Sequence, residues 1–186
     1  MGQGDVHRTV KELAADFERA GIDYAIIGAM ALNAHGFARE TTDVDVLVSS
    51  AGLERFRNEL VGRGYTEAFS GARKTFKNTR TGIKVEFLTT GEFPGDGKPK
   101  PVAFPDPVEA GEVIGEARFA NLTTLINLKL ASGMTQPARR RDLADVQDLI
   151  RILALPESYG EKLNPYVRDM FMTLHREVQA HDPLAE

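Results

Sequence analysis

The sequence contains no cysteine and no tryptophan, and it has no long unbroken apolar run. Without cysteine the chain can form neither a disulfide framework nor a thiolate metal site, and this composition is compatible with the cytoplasm. No segment approaches the apolar length of a membrane-spanning helix, and the N-terminal residues lack the apolar region of a secretory signal. We therefore expect a cytoplasmic protein that does not act at a membrane.

The chain also lacks a strong excess of either charge. It has 23 Lys and Arg against 27 Asp and Glu, so its formal net charge is -4. This balance does not by itself indicate nucleic-acid binding, although a local basic patch could still support it. A chain of 186 residues suffices for one domain, or for a domain with a helical appendage.

The most informative stretch spans residues 24–48. An apolar run stops at Gly28, a helix-like segment follows to about Ala34, and a second apolar run begins around Asp43 and Asp45. The pattern predicts a strand, a tight glycine turn, a helix and a second strand. Because side chains alternate along a strand, the two aspartates point to the same side. Two carboxylates this close repel unless a cation lies between them, and Mg²⁺ prefers oxygen ligands, so we expect a metal site here.

A third carboxylate stands on a predicted hairpin. Its arms are residues 73–77 and 83–89, and on the second arm Glu86 shares a face with Lys84 and Leu88. Glu86 would stand beside the aspartate pair if this arm neighbours the strand that carries them.

Other segments complete the expected architecture. The sequence predicts an N-terminal helix ended by Gly21, a helix capped by Ser50, and a short strand over residues 65–69. The proline-rich segment 91–107 predicts an extended loop. Further along we expect a weak hairpin over residues 113–119 and helices over residues 122–131, over residues 138–153 and from Pro165 onward. We therefore predict an α/β region over residues 1–120 and a C-terminal helical region over residues 121–186, packed on it.

Two blocks of the sequence resemble a known superfamily. Gly28-Ala29, the following helix and the Asp43-Val-Asp45-Val motif resemble the signature of the polymerase-β-like nucleotidyltransferases. Residues 122–145 (LTTLINLKLASGMTQPARRRDLAD) resemble the lysine helix and the arginine–aspartate helix of AbiEii/AbiGii toxin-like nucleotidyltransferases. The resemblance covers roughly residues 22 to 150.

The resemblance implies a mixed β-sheet flanked by helices, two Mg²⁺ ions, and transfer of a nucleoside monophosphate from NTP to an acceptor hydroxyl. Asp43 and Asp45 would hold both metals. Glu86 would be the third metal ligand and a candidate base. Lys129 would bind phosphate and complete the catalytic set. The resemblance also implies a set of nucleotide-binding residues: Gly28, Ala29, Lys129, Asp142 and Asp145. The loop before the aspartates adds two candidates for nucleotide binding, Arg39 and Thr42.

The sequence departs from the superfamily pattern in two places. Ala29 lacks the hydroxyl of a serine, so phosphate binding there would rest on backbone N–H groups. Glu86 replaces an aspartate and is one methylene longer. Plainer interpretations also exist, because the aspartates could be solvated turn residues and the ammonium of Lys129 could extend to water.

Further alternatives concern the charged segment after residue 135. Asp142 and Asp145 could simply pair with Arg139 or Arg141. The arginine run 139–141, together with the basic residues of 73–77, is the best candidate for an RNA-facing surface, and a solvated charged face is the alternative.

The expected partners follow from the proposed chemistry. They are an NTP, an acceptor that is an RNA end (plausibly tRNA) or a protein hydroxyl, and, for a toxin-like protein, a cognate antitoxin. Two other functions remain open at this point: a non-catalytic nucleotide-binding or regulatory module, and a transferase acting on a small molecule such as an aminoglycoside.

Overall fold

The computed structural model describes residues 3–180, which divide into two compact units. The first unit extends to Gly91 and resumes over Phe104–Asn121, and the second contains Glu92–Ala103 and the chain from Leu122 onward. The proline-rich segment Glu92–Ala103 thus belongs with the helices, whereas the predicted α/β region included it. The outer ends of the two predicted regions, residues 1–2 and 181–186, lie outside the described residues.

The first unit contains the sheet. Its elements, in chain order, are α1 (Gln3–Ala20), β1 (Tyr24–Ile27), α2 (Gly28–Ala34), β2 (Asp43–Val48), α3 (Ser50–Glu59), β3 (Tyr65–Glu67), β4 (Thr75–Asn78), β5 (Lys84–Thr89), α4 (Pro107–Ala110), β6 (Gly111–Ile114) and β7 (Ala117–Ala120). The strands form one sheet in the order β3-β4-β5-β2-β1-β7-β6. Strand β2 is antiparallel to β1 and parallel to β5, so the sheet is mixed, as predicted.

Aromatic side chains form the core on one face of this sheet. Phe56 of α3 lies 4.5 Å from Phe87 of β5 and 5.1 Å from Phe76 of β4, measured between ring centroids. Phe17 of α1 packs 6.2 Å from Phe87 in an edge-to-face arrangement. All four rings are essentially fully buried. Helices α1 and α3 therefore cover this face, and the opposite face of β2 and β5 carries the charged residues.

Local signals place some helix ends where the sequence predicts them. Gly21 has a φ of +60° directly after α1, and Pro165 begins the last helix. The cap of α3 is Ser49 and not Ser50, because the Ser49 Oγ accepts a hydrogen bond from the Gly52 N–H at 3.0 Å. The predicted cap was therefore wrong by one residue.

The second unit is helical. It contains α5 (Leu122–Thr135), a 3₁₀ helix (Pro137–Arg139), α6 (Arg141–Ile152), a second 3₁₀ helix (Glu157–Lys162) and α7 (Pro165–Ala180). Helix α6 begins three residues later than predicted, because the turn that follows Pro137 is a 3₁₀ turn. Within residues 3–180, none of the helices combines the length and the apolar character needed to cross a membrane.

We expect the packed aromatic side chains to stabilise the first unit. Phe56→Ala should lower the free energy of unfolding by about 3–5 kcal/mol, because it leaves a cavity among Phe17, Phe76 and Phe87. Phe69→Ala is the matched control, since the Phe69 side chain is 64% exposed, and its effect should stay within about 0.5 kcal/mol. Urea denaturation followed by circular dichroism measures both. Equal losses would contradict the assignment of Phe56 to the core.

Candidate active site

Four charged residues form a two-by-two array on adjacent strands. The parallel register of β2 and β5 pairs Asp43 with Lys84 and Asp45 with Glu86. The residues that alternate with them on the two strands are buried and belong to the aromatic face: Val44, Val46, Val85 and Phe87. Since side chains alternate, the four charged residues project from the other face. The sequence prediction that Glu86 stands beside the aspartates if the two strands are neighbours is confirmed.

Lys84 joins two of the carboxylates. Its Nζ lies 3.3 Å from Asp43 Oδ2 and 3.4 Å from Glu86 Oε2. Partial burial lowers the pKa of Lys84, but the hydrogen bond and charge of Asp43 and the charge of Glu86 outweigh this, so the pKa is raised above its usual value. The lysine therefore remains a cation between two carboxylates. Its side chain is 41% exposed, so it is not buried between them.

Thr41 orients the first aspartate. Its hydroxyl contacts Asp43 Oδ1 at 2.8 Å and the Asp43 backbone oxygen at 3.1 Å. The two carboxylate oxygens of Asp43 are thus engaged by Thr41 and by Lys84. The residue predicted from the sequence was the neighbouring Thr42, which is exposed, and Thr41 was not predicted. The available signal was a threonine two residues before an aspartate, a spacing at which side chains often hydrogen-bond locally.

Gly28 permits the close approach of the second aspartate. It has a φ of +64°, which favours glycine, and it begins α2 directly after β1. A Cβ at this position would overlap the Oδ2 atom of Asp45. Two separate constraints therefore favour glycine here: the left-handed backbone conformation and the Asp45 carboxylate that lies against the residue. Ala29, the next residue, brings no hydroxyl to this turn.

Asn33 holds the loop that carries Arg39. The Asn33 Nδ2 donates to the Arg39 carbonyl at 2.9 Å, and the Arg39 N–H donates to Asn33 Oδ1 at 2.5 Å. This pair of hydrogen bonds fixes the Arg39 backbone beside α2. Asn33 was not predicted, because hydrogen bonds from a side chain to an irregular loop leave no periodic signal in the sequence. The nucleotide contacts proposed for Arg39 and Thr42 remain predictions.

The remaining candidates lie together in the second unit. Lys129 Nζ donates to Asp142 Oδ1 at 3.0 Å and to Asp145 Oδ2 at 2.7 Å, and the Ser132 hydroxyl donates to Asp142 Oδ2 at 2.7 Å. The Lys129 side chain is only 11% exposed, so the alternative in which its ammonium extends to water is wrong. Both carboxylates pair with this lysine. Their predicted roles toward a nucleotide stay predictions.

The donor set at β2 and β5 suits a hard divalent cation. Asp43, Asp45 and Glu86 supply the carboxylate oxygens that Mg²⁺ prefers, from one face of two adjacent strands. The three side chains do not yet surround a common point, since no three His, Cys, Asp or Glu side chains within residues 3–180 are arranged to hold a metal ion. Lys84 occupies the gap between Asp43 and Glu86. The three carboxylates are suitable ligands for Mg²⁺, and their side chains would have to rotate to surround one ion.

Comparison with solved structures identifies the type of fold. The chain is similar to an antigenic nucleotidyltransferase-like protein from Paracoccidioides brasiliensis, with a TM-score of 0.58, 15% identity, and coverage of 98% of this chain and 91% of that one. It is also similar to a candidate nucleotidyltransferase from Thermotoga maritima, with a TM-score of 0.54, 17% identity, and coverage of 76% and 92%. The mixed sheet flanked by helices is therefore of the nucleotidyltransferase type.

Sequence comparisons do not refine this assignment. No protein-family model matches the chain, and no curated protein matches it either. The resemblance to AbiEii/AbiGii toxin-like proteins is therefore not confirmed, and at identities below 20% the structural neighbours show the fold alone.

The two constraints on Gly28 can be separated by mutation. Gly28→Ala should destabilise the protein through its left-handed backbone and through overlap with Asp45. Gly36→Ala is the matched control, since Gly36 also has a positive φ, of +90°, but a Cβ there meets nothing within 4 Å. We expect a loss of about 1–2 kcal/mol for the control and about 1–3 kcal/mol more for Gly28→Ala. Equal losses in denaturant melts would mean that Asp45 does not constrain the turn.

The ion pairs of Lys129 with Asp142 and Asp145 should contribute to the stability of the fold. Lys129→Met should lower stability by about 3 kcal/mol or more without any nucleotide, because it leaves Asp142 and Asp145 together in a largely buried site. Lys98→Met, at an exposed lysine of the same unit, should change stability by less than about 0.5 kcal/mol. Thermal denaturation in nucleotide-free buffer measures both. If the two variants melt alike, the Lys129 cluster does not stabilise the fold.

Proposed function

We propose that this protein is a Mg²⁺-dependent nucleotidyltransferase that moves a nucleoside monophosphate from NTP to an acceptor hydroxyl. The observation that carries the proposal is the placement of Asp43, Asp45 and Glu86 on one face of β2 and β5, with the Asp45 carboxylate against the Gly28 turn. The same type of fold in nucleotidyltransferase-like proteins supports it.

The reaction assigns a role to each carboxylate. The acceptor oxygen forms a bond to the α-phosphorus, the bond from that phosphorus to the leaving oxygen breaks, and pyrophosphate departs. Asp43 and Asp45 would hold Mg²⁺, and Glu86 would contribute a third oxygen ligand and accept the proton of the acceptor hydroxyl. Bound Mg²⁺ supplies charge neutralisation at the phosphates and lowers the pKa of the attacking hydroxyl.

Neighbouring residues position this machinery. Thr41 fixes the orientation of the Asp43 carboxylate, and Gly28 leaves the space that the Asp45 carboxylate occupies. Asn33 holds the backbone of Arg39, whose planar guanidinium is suited to bidentate contact with phosphate oxygens. These three positioning residues act through Asp43, Asp45 and Arg39 and need not touch the substrate.

The acceptor and the biological setting rest on the resemblance in residues 122–145. We propose an RNA end, plausibly of tRNA, or a protein hydroxyl as acceptor, and a toxin-like role with a cognate antitoxin. The exposed run Arg139, Arg140 and Arg141 is consistent with an RNA acceptor, because exposed arginines bind backbone phosphates. A small molecule such as an aminoglycoside is the alternative acceptor.

A second candidate function is a nucleotide-binding module without catalysis. Lys84 favours it, since its ammonium lies where a cation shared by Asp43 and Glu86 would bind. The alanine at position 29 and the longer carboxylate at position 86 favour it as well. In this case the protein would bind nucleotide without Mg²⁺ and would transfer nothing.

Transfer of labelled nucleotide tests the proposal. The protein is incubated with each labelled NTP, Mg²⁺, and total RNA or cell lysate. We expect label in a macromolecule with at least one NTP, and a loss of about a hundredfold or more in Asp45→Asn, because a metal ligand is removed. Asp23→Asn is the matched control: Asp23 is exposed, lies just before β1, and undergoes the same chemical change.

The outcomes separate the candidates. Label in a small acceptor without added macromolecule would identify a small-molecule transferase. Nucleotide binding that needs no Mg²⁺ in calorimetry, with no label transferred, would support the non-catalytic module. Incorporation that is equal for the wild type and Asp45→Asn would contradict the proposed site.

A further inference from the structure

Lys84 contacts one carboxylate on its own strand and one on the neighbouring strand. It lies on β5 two residues before Glu86, on the same face, and opposite Asp43 in the parallel register. Its ammonium contacts one oxygen of each carboxylate, Asp43 Oδ2 and Glu86 Oε2. The other oxygen of Asp43 is held by Thr41. The lysine thus links a carboxylate of β2 with a carboxylate of β5.

A positive charge stabilises the group formed by Asp43, Asp45 and Glu86. Asp45 and Glu86 are direct neighbours in the register, and adjacent strands are about 4.8 Å apart. Like charges at neighbouring strand positions destabilise a sheet. The ammonium of Lys84 balances part of this repulsion, because it lies 3.4 Å from Glu86 and 3.3 Å from Asp43.

A metal ion and this ammonium cannot serve the same two carboxylates together. Mg²⁺ binds carboxylate oxygens at about 2.0–2.1 Å, whereas the Lys84 nitrogen lies 3.3 and 3.4 Å from Asp43 and Glu86. A divalent ion bridging these residues would have to lie in the space of the ammonium, and two cations so close would repel. Binding of the metal therefore requires Lys84 to move.

We propose that Lys84 is a tethered counter-ion of the catalytic carboxylates, which holds Asp43 and Glu86 until a divalent metal displaces it. This inference rests on the proposed function, since it concerns the same metal site. It makes Lys84 a positioning residue that acts through Asp43 and Glu86. Metal affinity is then set by competition with the lysine as well as by the carboxylates themselves.

The exposure of Lys84 makes such displacement feasible. Its side chain is 41% exposed, and a lysine ammonium is a strongly hydrated group on a flexible stem, so it can move into water at small cost. Lys129 provides the contrast, since it also binds two aspartates but is 11% exposed. Displacing Lys129 would leave a largely buried cluster without its cation, whereas displacing Lys84 would not.

Titration of the nucleotide-free, full-length protein with Mn²⁺ tests the proposal by calorimetry. Lys84→Met should bind Mn²⁺ about tenfold more tightly than the wild type, because the competing cation is gone. Lys77→Met is the matched control: Lys77 is the register neighbour of Lys84 on β4, and it is exposed. This variant loses the same charge from the same face without removing a contact to Asp43 or Glu86, so its affinity should rise less than twofold.

Thermal melting supplies an independent readout. In metal-free buffer Lys84→Met should melt below Lys77→Met, since Asp43 and Glu86 lose the ammonium that they share. Saturating Mn²⁺ should raise the melting temperature of Lys84→Met more than that of the wild type, because tighter ligand binding stabilises the folded state further. Lys84→Gln serves as the second variant if the methionine variant does not fold.

The wild-type protein allows a test without mutation. Addition of Mg²⁺ should shift the side-chain ammonium signal of Lys84 in heteronuclear NMR spectra and leave that of Lys77 unchanged. An unmoved Lys84 signal in protein that binds the metal would overturn the proposal.

The possible failures are distinguishable. If the wild type and Lys84→Met bind Mn²⁺ equally well, the counter-ion role is wrong and the metal site stands. If neither variant nor the wild type binds Mn²⁺ at any concentration, both the counter-ion role and the Mg²⁺-dependent function are wrong.

Discussion

The parallel pairing of β2 with β5 is the constraint on which the candidate site depends. It places two residues of one strand beside two of the other, so that Asp43 meets Lys84 and Asp45 meets Glu86. The aromatic packing behind the sheet maintains this register, because a slip of one residue would turn every buried side chain of the strand to the wrong face. The rings of Phe56 and Phe87, 4.5 Å apart, thus help to position carboxylates that they never touch.

Electrostatics limits how such a site can be built. Carboxylates at neighbouring strand positions repel, and the fold supplies local compensation through Lys84 and through the hydroxyl of Thr41. The left-handed turn at Gly28 supplies the remaining requirement, which is space for Asp45. A charged cluster on one face of the sheet and an apolar cluster on the other are therefore two consequences of one alternating pattern.

The chain uses the same trio, a lysine with two acidic residues, in two different environments. In the second unit Lys129, Asp142 and Asp145 are largely buried, and Ser132 satisfies a further oxygen. Breaking such a group leaves uncompensated charge out of water, which makes it a fixed structural element. At the sheet the trio of Lys84 is half exposed, so its cation can be exchanged. Burial, and not residue type, distinguishes the two.

The sequence alone determined the features that depend on near neighbours along the chain. These include the glycine turn at Gly28, the shared face of Asp43 and Asp45, and the helices whose apolar residues recur with a helical period. Even the local cap chemistry was predicted wrongly by one residue, since Ser50 was expected and Ser49 is the cap.

Only the tertiary structure decided which of the distant residues meet. Asp43 and Lys84 are neighbours only because β2 pairs with β5, and no local pattern encodes the register between strands so far apart in the chain. The pairing of Lys129 with Asp142 and Asp145 is likewise a contact between two helices. The physical reason is that local backbone preferences act over a few residues, whereas strand register and buried ion pairs are selected by packing of the whole core.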